Sequence, residues 1–521
     1  MLKKEIVKLK STKDDKFRQE LLTNDVNILN EITSTNLFKS LDNNGNGNIL
    51  KKDIITALES RGILINDPRI SDVVNKLKKF KDTEEISSTQ FHSIIIKNIT
   101  LVEKALKGDL IIPDFESFSQ KVNIIFDEVK SNNDGQVADY IPQLARVSPE
   151  NYAISICTID GQQFHLGDYE TPYSVQSTCK PISYALALEE FGEKKVHNHI
   201  GREPSGRGFN ELTLNKDGLP HNPMINAGAI MSCSLIRPDL NISDRFDYVL
   251  SKWKQLSGNK NPGFNNSIYL SEKQTADRNF ALGYFMKENN AFPENTDMHE
   301  ILDFYFQTCS IQIDCSSHSI VAGTLANAGI CPITRERVFS PTTTKNCLSL
   351  MYSCGMYDFS GEFAFTVGLP AKSGVSGALV IVVPGVCGIT IWSPNLDKFG
   401  NSVRAVKICD KLVEQFNFHN YDNLIPNIKK IDPRLQKNED KLEGIMVANF
   451  AASQGDLNEI KSLNAKGINL NNADYDLRTP LHLAASEGHL HVIDYLILNN
   501  VDPNPKDRWG GTPLDDAKRH E

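Results

Sequence analysis

The sequence contains no run of about 18 apolar residues, the length at which a helix can span a membrane. It is also short of positive charge: the formal net charge is −9, which excludes the basic surface that nucleic-acid binding requires. The ten cysteines include no Cys-x-x-Cys pair and no Cys/His cluster with zinc-site spacing. They lie in apolar stretches such as Ile156-Cys157, where buried reduced thiols are expected. These absences predict an intracellular protein without a membrane span or a nucleic-acid partner.

The chain is too long for one hydrophobic core, and its texture changes along its length. Its 521 residues, 40% hydrophobic and 23% charged, have the composition of a globular protein with roughly two to four domains. The first residues have neither the apolar core of a secretory signal nor the acid-free character of a transit peptide. The pattern predicts a tail at 1–16, a helical domain at 17–115, a large domain of mixed helix and strand at 118–425, a charged linker at 426–440 and a repeat region at 441–521.

A loop in the helical domain fits the EF-hand pattern. In the twelve residues that begin at Asp42, oxygen ligands occupy positions 1, 3, 5 and 12, which are Asp42, Asn44, Asn46 and Asp53. Only two of the four are carboxylates, and Asp53 replaces the usual bidentate glutamate. A mate near Asp82 to Ile86 lacks the ligand pattern. The sequence leaves open a weak calcium or magnesium site and a metal-free helical pair.

The C-terminal region repeats itself with a period of 33 residues. Ala451-Ala-Ser-Gln-Gly recurs as Ala484-Ala-Ser-Glu-Gly, and Thr479-Pro-Leu recurs as Thr512-Pro-Leu. This period and the Thr-Pro-Leu-His-Leu-Ala motif are those of ankyrin repeats. Two to three repeats are few for independent stability, so we expect the array to lean on its own chain or on a protein partner.

The tetrad Ser177-Thr-Cys-Lys180 lies where an extended segment gives way to a helical run. A spacing of three on a helix puts serine and lysine on one face. A lysine whose pKa is lowered by burial can take the proton of a serine hydroxyl, and the helix N-terminus offers N–H groups to an oxyanion. The tetrad alone is weak evidence, because on its own it is better explained by a helix cap followed by a surface lysine.

A second element, Lys372-Ser-Gly374, opens the apolar strand predicted at 378–383. Further strands are predicted at 153–158 and 388–392. A Lys-Ser/Thr-Gly triplet at a strand, downstream of Ser-x-x-Lys, is the pairing of serine β-lactamases and penicillin-binding proteins. Their third element, Ser-Asp-Asn between the other two, is missing. The pattern favours an α+β, β-lactamase-like domain, an antiparallel sheet with helices, that acts on a different substrate.

Residues 140 to 424 resemble the glutaminase family, and most of all its animal, kidney-type branch that bears ankyrin repeats. The motifs are long: Ala138-Asp-Tyr-Ile-Pro-Gln-Leu-Ala, Gln176-Ser-Thr-Cys-Lys-Pro, His221-Asn-Pro-Met-Ile-Asn-Ala-Gly-Ala, Ser353-Cys-Gly-Met-Tyr-Asp-Phe-Ser-Gly and Pro370-Ala-Lys-Ser-Gly-Val-Ser-Gly. The order of an EF-hand-like domain, a catalytic domain and an ankyrin tail is also that of this branch. The resemblance implies hydrolysis of L-glutamine to L-glutamate and ammonia.

The resemblance also implies a role for individual residues. Ser177 would be the nucleophile, Lys180 its base and Tyr357 a proton relay, while the backbone N–H of Val375 would complete the oxyanion hole. The pocket for the amino-acid end of glutamine would comprise Tyr140, Asn226, Glu272, Asn279 and Tyr305. Glu272 suits the α-ammonium, and the asparagines suit the α-carboxylate or the amine. Each could instead be a structural residue, such as Tyr305 in the core.

Some positions depart from the family or compete with this interpretation. Glu211 and Thr213 stand where the animal enzymes have lysine and phenylalanine in a regulatory loop, and Phe285 stands where tyrosine is usual; regulation and inhibitor sensitivity are therefore in doubt. Cys179 is a rival nucleophile by position, but no histidine lies beside it to activate it, so we interpret it as packing.

We therefore predict a serine amidohydrolase that needs no organic cofactor or catalytic metal. The resemblance adds homodimers or homotetramers, activation by inorganic phosphate and a mitochondrial location, although the N-terminus leaves a cytosolic one open. Two alternatives are a β-lactam hydrolase, which the missing Ser-Asp-Asn disfavours, and a non-enzymatic scaffold. The scaffold is disfavoured because an inactive protein has no reason to keep Ser177, Lys180 and Tyr357 together.

Overall fold

The computed structural model describes residues 29–42, 46–206, 208, 211–424, 430–435, 439–465 and 468–520. The chain forms two compact units, Met1–Asp410 and Lys411–Glu521. The predicted tail at 1–16 lies outside the described residues. Among those that are described, no helix combines the length and hydropathy needed to cross a bilayer.

The first unit begins with a helical region built around a two-stranded sheet. Its helices are α1 (29–41), α2 (Lys51–Glu59), α3 (Ser71–Leu77), α4 (Ser88–Ile95) and α5 (Ile99–Lys107). Strands β1 (Asn48–Leu50) and β2 (Glu85–Ser87) pair antiparallel, with Ile49 opposite Ile86, and both isoleucines are buried. The stretch from Asp82 to Ile86 is therefore the structural mate of the EF-hand-like loop, as the sequence suggested.

A five-stranded antiparallel sheet forms the centre of the first unit. Its strands are β4 (Ala153–Thr158), β5 (Gln163–Gly167), β9 (Ala371–Ser373), β10 (Ala378–Val383) and β11 (Cys387–Trp392), in the order β5-β4-β11-β10-β9. Every residue of β4, β10 and β11 is buried, which explains their mostly apolar sequences. The three predicted strands and the mixed fold class are confirmed.

Helix α14 (Cys315–Ala326) packs against the central strands β4, β10 and β11, and all of its residues are buried. The approach is close at Gly388, where an added Cβ would lie 2.1 Å from the Gly323 nitrogen. Glycine is therefore required at this position by the contact between helix and sheet.

Eleven further helices and five short strands complete the described part of the catalytic region. The helices are α6 (Phe115–Val129), α7 (Pro142–Ala145), α8 (Lys180–Val196), α9 (Asn226–Ser234), α10 (Ile242–Leu256), α11 (Asn266–Gln274), α12 (Asp277–Glu288), α13 (Met298–Cys309), α15 (Pro341–Cys354), α16 (Ser360–Thr366) and α17 (Val403–Gln415). Strands β3 (Gln136–Val137) and β12 (Asn395–Leu396) pair with each other, and β6 (Tyr173–Ser174), β7 (Gly263–Phe264) and β8 (Ile311–Ile313) form a sheet in the order β6-β8-β7.

Polar contacts join the helical region to the turn between β4 and β5. The Arg69 guanidinium donates to the backbone oxygen of Gly161 at 2.6 Å. In return, the Gln162 side-chain amide donates to the backbone oxygens of Arg61 and Ile112 at 2.9 and 3.0 Å. Gln162 is almost fully buried, so the helical region and the central sheet share a protected polar contact.

The second unit contains the predicted ankyrin array. Its helices are α18 (Glu439–Gln454), α19 (Leu457–Ala465), α20 (Pro480–Ser486), α21 (Leu490–Leu498) and α22 (Pro513–Arg519). Thr479 and Thr512, which are 33 residues apart, cap α20 and α22 in the same way, and Ala452 and Ala484 are fully buried between helices. The prediction of ankyrin repeats from the period is confirmed.

Part of the stretch interpreted as a linker is hydrogen-bonded. The Asn417 backbone N–H donates to Ile431 at 3.0 Å, the Ile431 N–H donates to Gln415 at 3.0 Å, and Lys430 forms an ion pair with Asp422 at 2.7 Å. Residues 425–429 and 436–438 lie outside the described residues. Residues 430–435 therefore follow the end of α17 rather than forming a free connection.

Candidate active site

The turn between β6 and α8 positions the Ser177 hydroxyl on the Lys180 amine. Residues Gln176–Cys179 form a 3₁₀ turn, and α8 begins at Lys180. The Lys180 Nζ donates to the Ser177 Oγ at 2.5 Å, and both side chains are buried, with 1% and 9% of their surfaces exposed. The Ser177 and Lys180 side chains meet as predicted, although Ser177 lies in the 3₁₀ turn before α8 rather than within the helix.

Burial sets the chemistry of Lys180. Removal from water lowers the pKa of its amine, and the nearby thiols of Cys309 and Cys179 oppose that shift. A neutral amine at 2.5 Å can accept the proton of the Ser177 hydroxyl. The arrangement can therefore activate the Ser177 hydroxyl as a nucleophile.

Tyr357 adds a third functional group, a phenol hydroxyl, beside Ser177 and Lys180. It opens the 3₁₀ turn Tyr357–Phe359 with φ at +54°, a left-handed conformation that costs a residue with a Cβ roughly 1–3 kcal/mol. Burial raises the pKa of its hydroxyl, and the neighbouring Ser177 side chain opposes that rise. Gln176, directly before the serine, also has a positive φ of +48°. Two of the ten described non-glycine residues with a positive φ therefore lie at the candidate nucleophile.

A buried carboxylate lies next to the Ser177 turn. Glu272, on α11, accepts a hydrogen bond from the Tyr140 hydroxyl at 2.6 Å and another from the Gln176 side-chain amide at 3.0 Å. Only 9% of its surface is exposed, and burial raises the pKa of its carboxyl against the effect of these two bonds. An organic ammonium group would therefore find a desolvated, oriented carboxylate here.

Asn226 and Asn279 are also brought together. Asn226 is the first residue of α9, and its Nδ2 donates to the Oδ1 of Asn279 on α12 at 3.2 Å. Tyr305, on α13, is buried, and burial raises the pKa of its hydroxyl well above the ordinary range.

A cavity of about 460 Å³, the size of a small-molecule site, borders Tyr357, Asn222 and Ile225.

The loop that carries Val375 follows β9 and lies against the Ser177 turn. Gly374 leaves little space: a Cβ there would lie 3.1 Å from the Val175 oxygen and 3.4 Å from the Thr178 nitrogen. The Val375 side chain packs on an apolar cluster that contains Ile141 and Leu144. The backbone of this loop therefore lies against the turn that carries the nucleophile.

The EF-hand-like loop uses its carboxylates on its own backbone. Asp42 accepts from the Gly47 N–H at 2.8 Å, Asp53 accepts from the Leu50 N–H at 2.8 Å, and Asn46 accepts from the Asn48 N–H at 3.0 Å. Asn44 lies outside the described residues. Within the described ranges no group of three or more His, Cys, Asp or Glu side chains could hold a metal ion. The weak calcium or magnesium site stays a prediction.

Comparison with known proteins bears on what this arrangement does. The family model described as glutaminase matches residues 135–421, that of an EF-hand domain matches 33–113, and that of ankyrin repeats in three copies matches 408–515. The mouse protein named glutaminase liver isoform, mitochondrial, is 47% identical over 469 residues, which are 89% of this chain and 78% of the mouse protein. The chain belongs to the glutaminase family.

Other relatives agree. Putative glutaminase 2 of Caenorhabditis elegans is 47% identical over 481 residues, 89% of this chain and 79% of that protein. A solved structure of the probable glutaminase ybaS is 36% identical with a TM-score of 0.54, over 56% of this chain and 94% of that one. Mglu in its glutamate form is 34% identical with a TM-score of 0.55, over 58% and 69%. The predicted family, its amidohydrolase class and the three kinds of domain are confirmed, and membership supports glutaminase activity.

Two buried residues of this glutaminase have contacts that the sequence does not reveal. In the sequence Gln176 is only part of a motif, yet its side chain bridges toward Glu272, 96 positions away. Lys372 is only the start of a triplet, yet it is fully buried beside Tyr357. Cys179 is buried, 3.9 Å from the Cys309 sulfur, and its contact with Cys309 lowers the pKa of its thiol, so its interpretation as packing stays a prediction. All ten cysteines are buried free thiols.

Proposed function

We propose that this glutaminase hydrolyses the side-chain amide of L-glutamine through a covalent glutamyl-enzyme formed on Ser177. The observation that carries the proposal is the buried contact of 2.5 Å between the Lys180 amine and the Ser177 hydroxyl. A lysine whose pKa is lowered by burial is a competent base at that distance.

The first half-reaction transfers the acyl group. Lys180 takes the hydroxyl proton while Ser177 Oγ attacks the amide carbon. The tetrahedral intermediate collapses when its nitrogen receives the proton held by Lys180 through Tyr357, whose side chain neighbours Ser177. The C–N bond breaks, ammonia leaves and a glutamyl ester remains. In the second half, water loses a proton to Lys180 and attacks the ester carbon. The bond from this carbon to Ser177 Oγ then breaks, Lys180 returns the proton to Oγ, and glutamate is released.

The negative oxygen of each intermediate would be held by backbone N–H groups. The Ser177 N–H lies at the start of the 3₁₀ turn, and the loop that carries Val375 lies against this turn at Gly374. Two preorganised donors in a site that excludes water stabilise an oxyanion without reorganisation, and each contributes on the order of 10²–10³ in rate.

The amino-acid end of glutamine would occupy the pocket beside this turn. Glu272, oriented by Tyr140 and Gln176, would pair with the α-ammonium. Asn226 and Asn279 would hydrogen-bond the α-carboxylate or the amine, and Tyr305 would form an apolar wall. The related Mglu, whose structure is known in a glutamate form, supports a pocket suited to this product.

Ser177→Ala tests the mechanism. Loss of a hydrolase nucleophile costs about 10⁶ in rate, while glutamine binding should change only a few fold. Ser319→Ala is a matched control, because Ser319 is also buried but its hydroxyl bonds only to a helix carbonyl on α14. Hydroxylamine should divert the wild-type acyl-enzyme to the hydroxamate. A Ser177→Ala enzyme that keeps a few per cent of wild-type kcat, or still forms hydroxamate, would show that the acyl group is carried elsewhere.

We further propose that the protein assembles as a dimer or tetramer, responds to inorganic phosphate and acts in mitochondria. The support is family membership, together with the mitochondrial names of its mouse and rat relatives. Light scattering, a phosphate titration of turnover and imaging of the tagged protein test these points separately. The ankyrin array is proposed to bind a protein partner, since such repeats present surfaces for protein contact.

We propose that the loop from Asp42 to Asp53 is at most a weak cation site, because it offers two carboxylates and both accept backbone N–H groups. Calorimetric titration with calcium and with magnesium tests this. A dissociation constant tighter than about 10⁻⁵ M, the range of calcium sensors, would contradict the proposal. An Asp53→Ala variant should remove whatever heat is observed.

A further inference from the structure

Lys372 is a buried amine that the proposed reaction leaves without a role. It lies on β9, none of its surface is exposed, and it is among the largest fully buried side chains. Its Nζ donates to the Ser373 backbone oxygen at 2.6 Å and to the Gly355 backbone oxygen at 3.1 Å. Burying an amine is costly, so its retention requires a reason beyond packing.

The Gly355 oxygen links Lys372 to the segment that carries Tyr357. This oxygen also accepts the Ser373 backbone N–H at 3.2 Å, so two donors from β9 converge on it. The contact is close, because a Cβ on Gly355 would lie 1.7 Å from the Ala371 oxygen. The segment between α15 and the Tyr357 turn is therefore clamped to the edge of the central sheet.

The same amine lies over the tyrosine ring. Lys372 Nζ is 4.5 Å from the centroid of the Tyr357 ring. Tyr357 has a φ of +54°, a conformation that persists only where surrounding contacts enforce it. Lys372 supplies two such contacts. Its amine binds the backbone oxygen of Gly355, two residues before Tyr357, and lies over the face of the Tyr357 ring.

We infer that Lys372 is a positioning residue, which holds the Tyr357 hydroxyl on Ser177 by clamping the Gly355 backbone and supporting the tyrosine ring. The inference rests on the proposed function, in which Tyr357 relays a proton. It concerns the chemical step alone, because Lys372 contacts Tyr357 and β9 rather than Glu272 or the asparagine pair.

The clamp tolerates the charge changes of the cycle. Burial lowers the pKa of Lys372 well below its ordinary range, and the positive charge of Lys180 lowers it further. An amine carries at least two N–H donors whether or not it is protonated, and it has two carbonyl acceptors here. The bonds to Gly355 and Ser373 therefore persist when Lys180 acquires a proton and disfavours a second positive charge nearby.

A double-mutant cycle with Lys372→Met and Tyr357→Phe tests the inference. A misplacement of about 1 Å in a catalytic group can cost on the order of 10²-fold, so Lys372→Met should lower kcat by about that factor with KM changed less than about 3-fold. In the Tyr357→Phe background, where no hydroxyl remains to be positioned, Lys372→Met should lower kcat by less than about 3-fold further. Circular dichroism and glutamine binding to each variant in a Ser177→Ala background check folding.

The outcomes separate the inference from the proposed function. If Tyr357→Phe keeps wild-type kcat, the relay assigned to Tyr357 is wrong. If Tyr357→Phe is impaired and Lys372→Met costs the same factor in both backgrounds, Lys372 acts independently of Tyr357 and the inference is overturned. Should Lys372→Met fail to fold, Lys372→Gln is the second variant, because its amide keeps a donor near Gly355. If the Tyr357 hydroxyl is displaced in the Lys372→Gln enzyme and kcat nevertheless stays at the wild-type value, the inference is also overturned.

Discussion

Replacing Glu272 by glutamine removes one negative charge from a buried position in the proposed substrate pocket. The carboxylate is 9% exposed and accepts two hydrogen bonds, from Tyr140 at 2.6 Å and from Gln176 at 3.0 Å. Glutamine has nearly the same shape, so the pocket should keep its form while losing the partner of the substrate ammonium. A hydrogen bond to a charged group contributes about 1.5–3 kcal/mol, which converts to a rise in KM of about 10- to 150-fold. The loss applies equally in ground and transition states, so kcat should change far less.

The same substitution should stabilise the free enzyme in a pH-dependent way. Burial raises the pKa of Glu272 above its ordinary value of 4.5. Below pH 4.5 the carboxyl is protonated in folded and unfolded chains alike, so the wild type and Glu272→Gln should melt at similar temperatures. As the pH rises through the unfolded and then the raised folded pKa, the wild type loses stability because it must ionise a buried group. The variant has no such group, and it should melt at the higher temperature at neutral pH.

Initial rates of ammonia release over a range of glutamine concentrations give KM and kcat, and melting curves at several pH values give stability. Glu288→Gln is the matched control, since Glu288 ends α12 in an exposed position. An analogue of glutamine without the α-amine should be hydrolysed by wild type and variant with similar KM. A loss confined to kcat, or an equal rise in KM for the analogue, would show that Glu272 does not pair with the ammonium.

Lys180→Ala should lower kcat by several orders of magnitude, and Lys180→Arg should not restore it, because a guanidinium does not give up its proton at neutral pH; an active arginine variant would contradict the base assignment. Since burial lowers the pKa of Lys180, wild-type kcat/KM should rise with pH through a midpoint below 10.5, the ordinary lysine value, and a pH–rate profile locates it. Gly388→Ala should destabilise the protein by about 1–3 kcal/mol or more, measured by denaturant unfolding, because its Cβ would lie 2.1 Å from the Gly323 nitrogen; unchanged unfolding would refute the packing argument. Deleting residues 436–521 should leave soluble, active enzyme that keeps the bonds of 430–435 to the end of α17, and a folded but inactive product at every glutamine and phosphate concentration would mean that the tail is part of the catalytic assembly.

Local patterns predicted most of the architecture. The short, mostly apolar stretch at 153–158 predicted a strand buried on both faces, and a period of 33 residues identified the ankyrin array at Thr479 and Thr512. The contact between Ser177 and Lys180 could be predicted from the sequence, because it depends only on their helical spacing of three residues. The roles of Gln176 and Lys372 could not, because they depend on partners that only the tertiary fold brings near: Glu272 on α11 for one, and the Gly355 oxygen for the other. The bonds of residues 430–435 were missed for a different reason, since charge and proline made that stretch look like solvated chain.

The positive φ angles of Gln176 and Tyr357 have a consequence for how this enzyme can change under selection. At each position glycine would relieve roughly 1–3 kcal/mol of backbone strain, more than most surface substitutions can add. Glycine would also delete the amide that orients Glu272 or the hydroxyl that meets Ser177. At Tyr357, however, the cavity left by the buried ring costs about 3–5 kcal/mol and outweighs this relief, so a laboratory screen that rewards heat resistance alone should leave that codon unchanged. Screens that also demand turnover should leave both untouched and find their gains in the ankyrin array or on the surface.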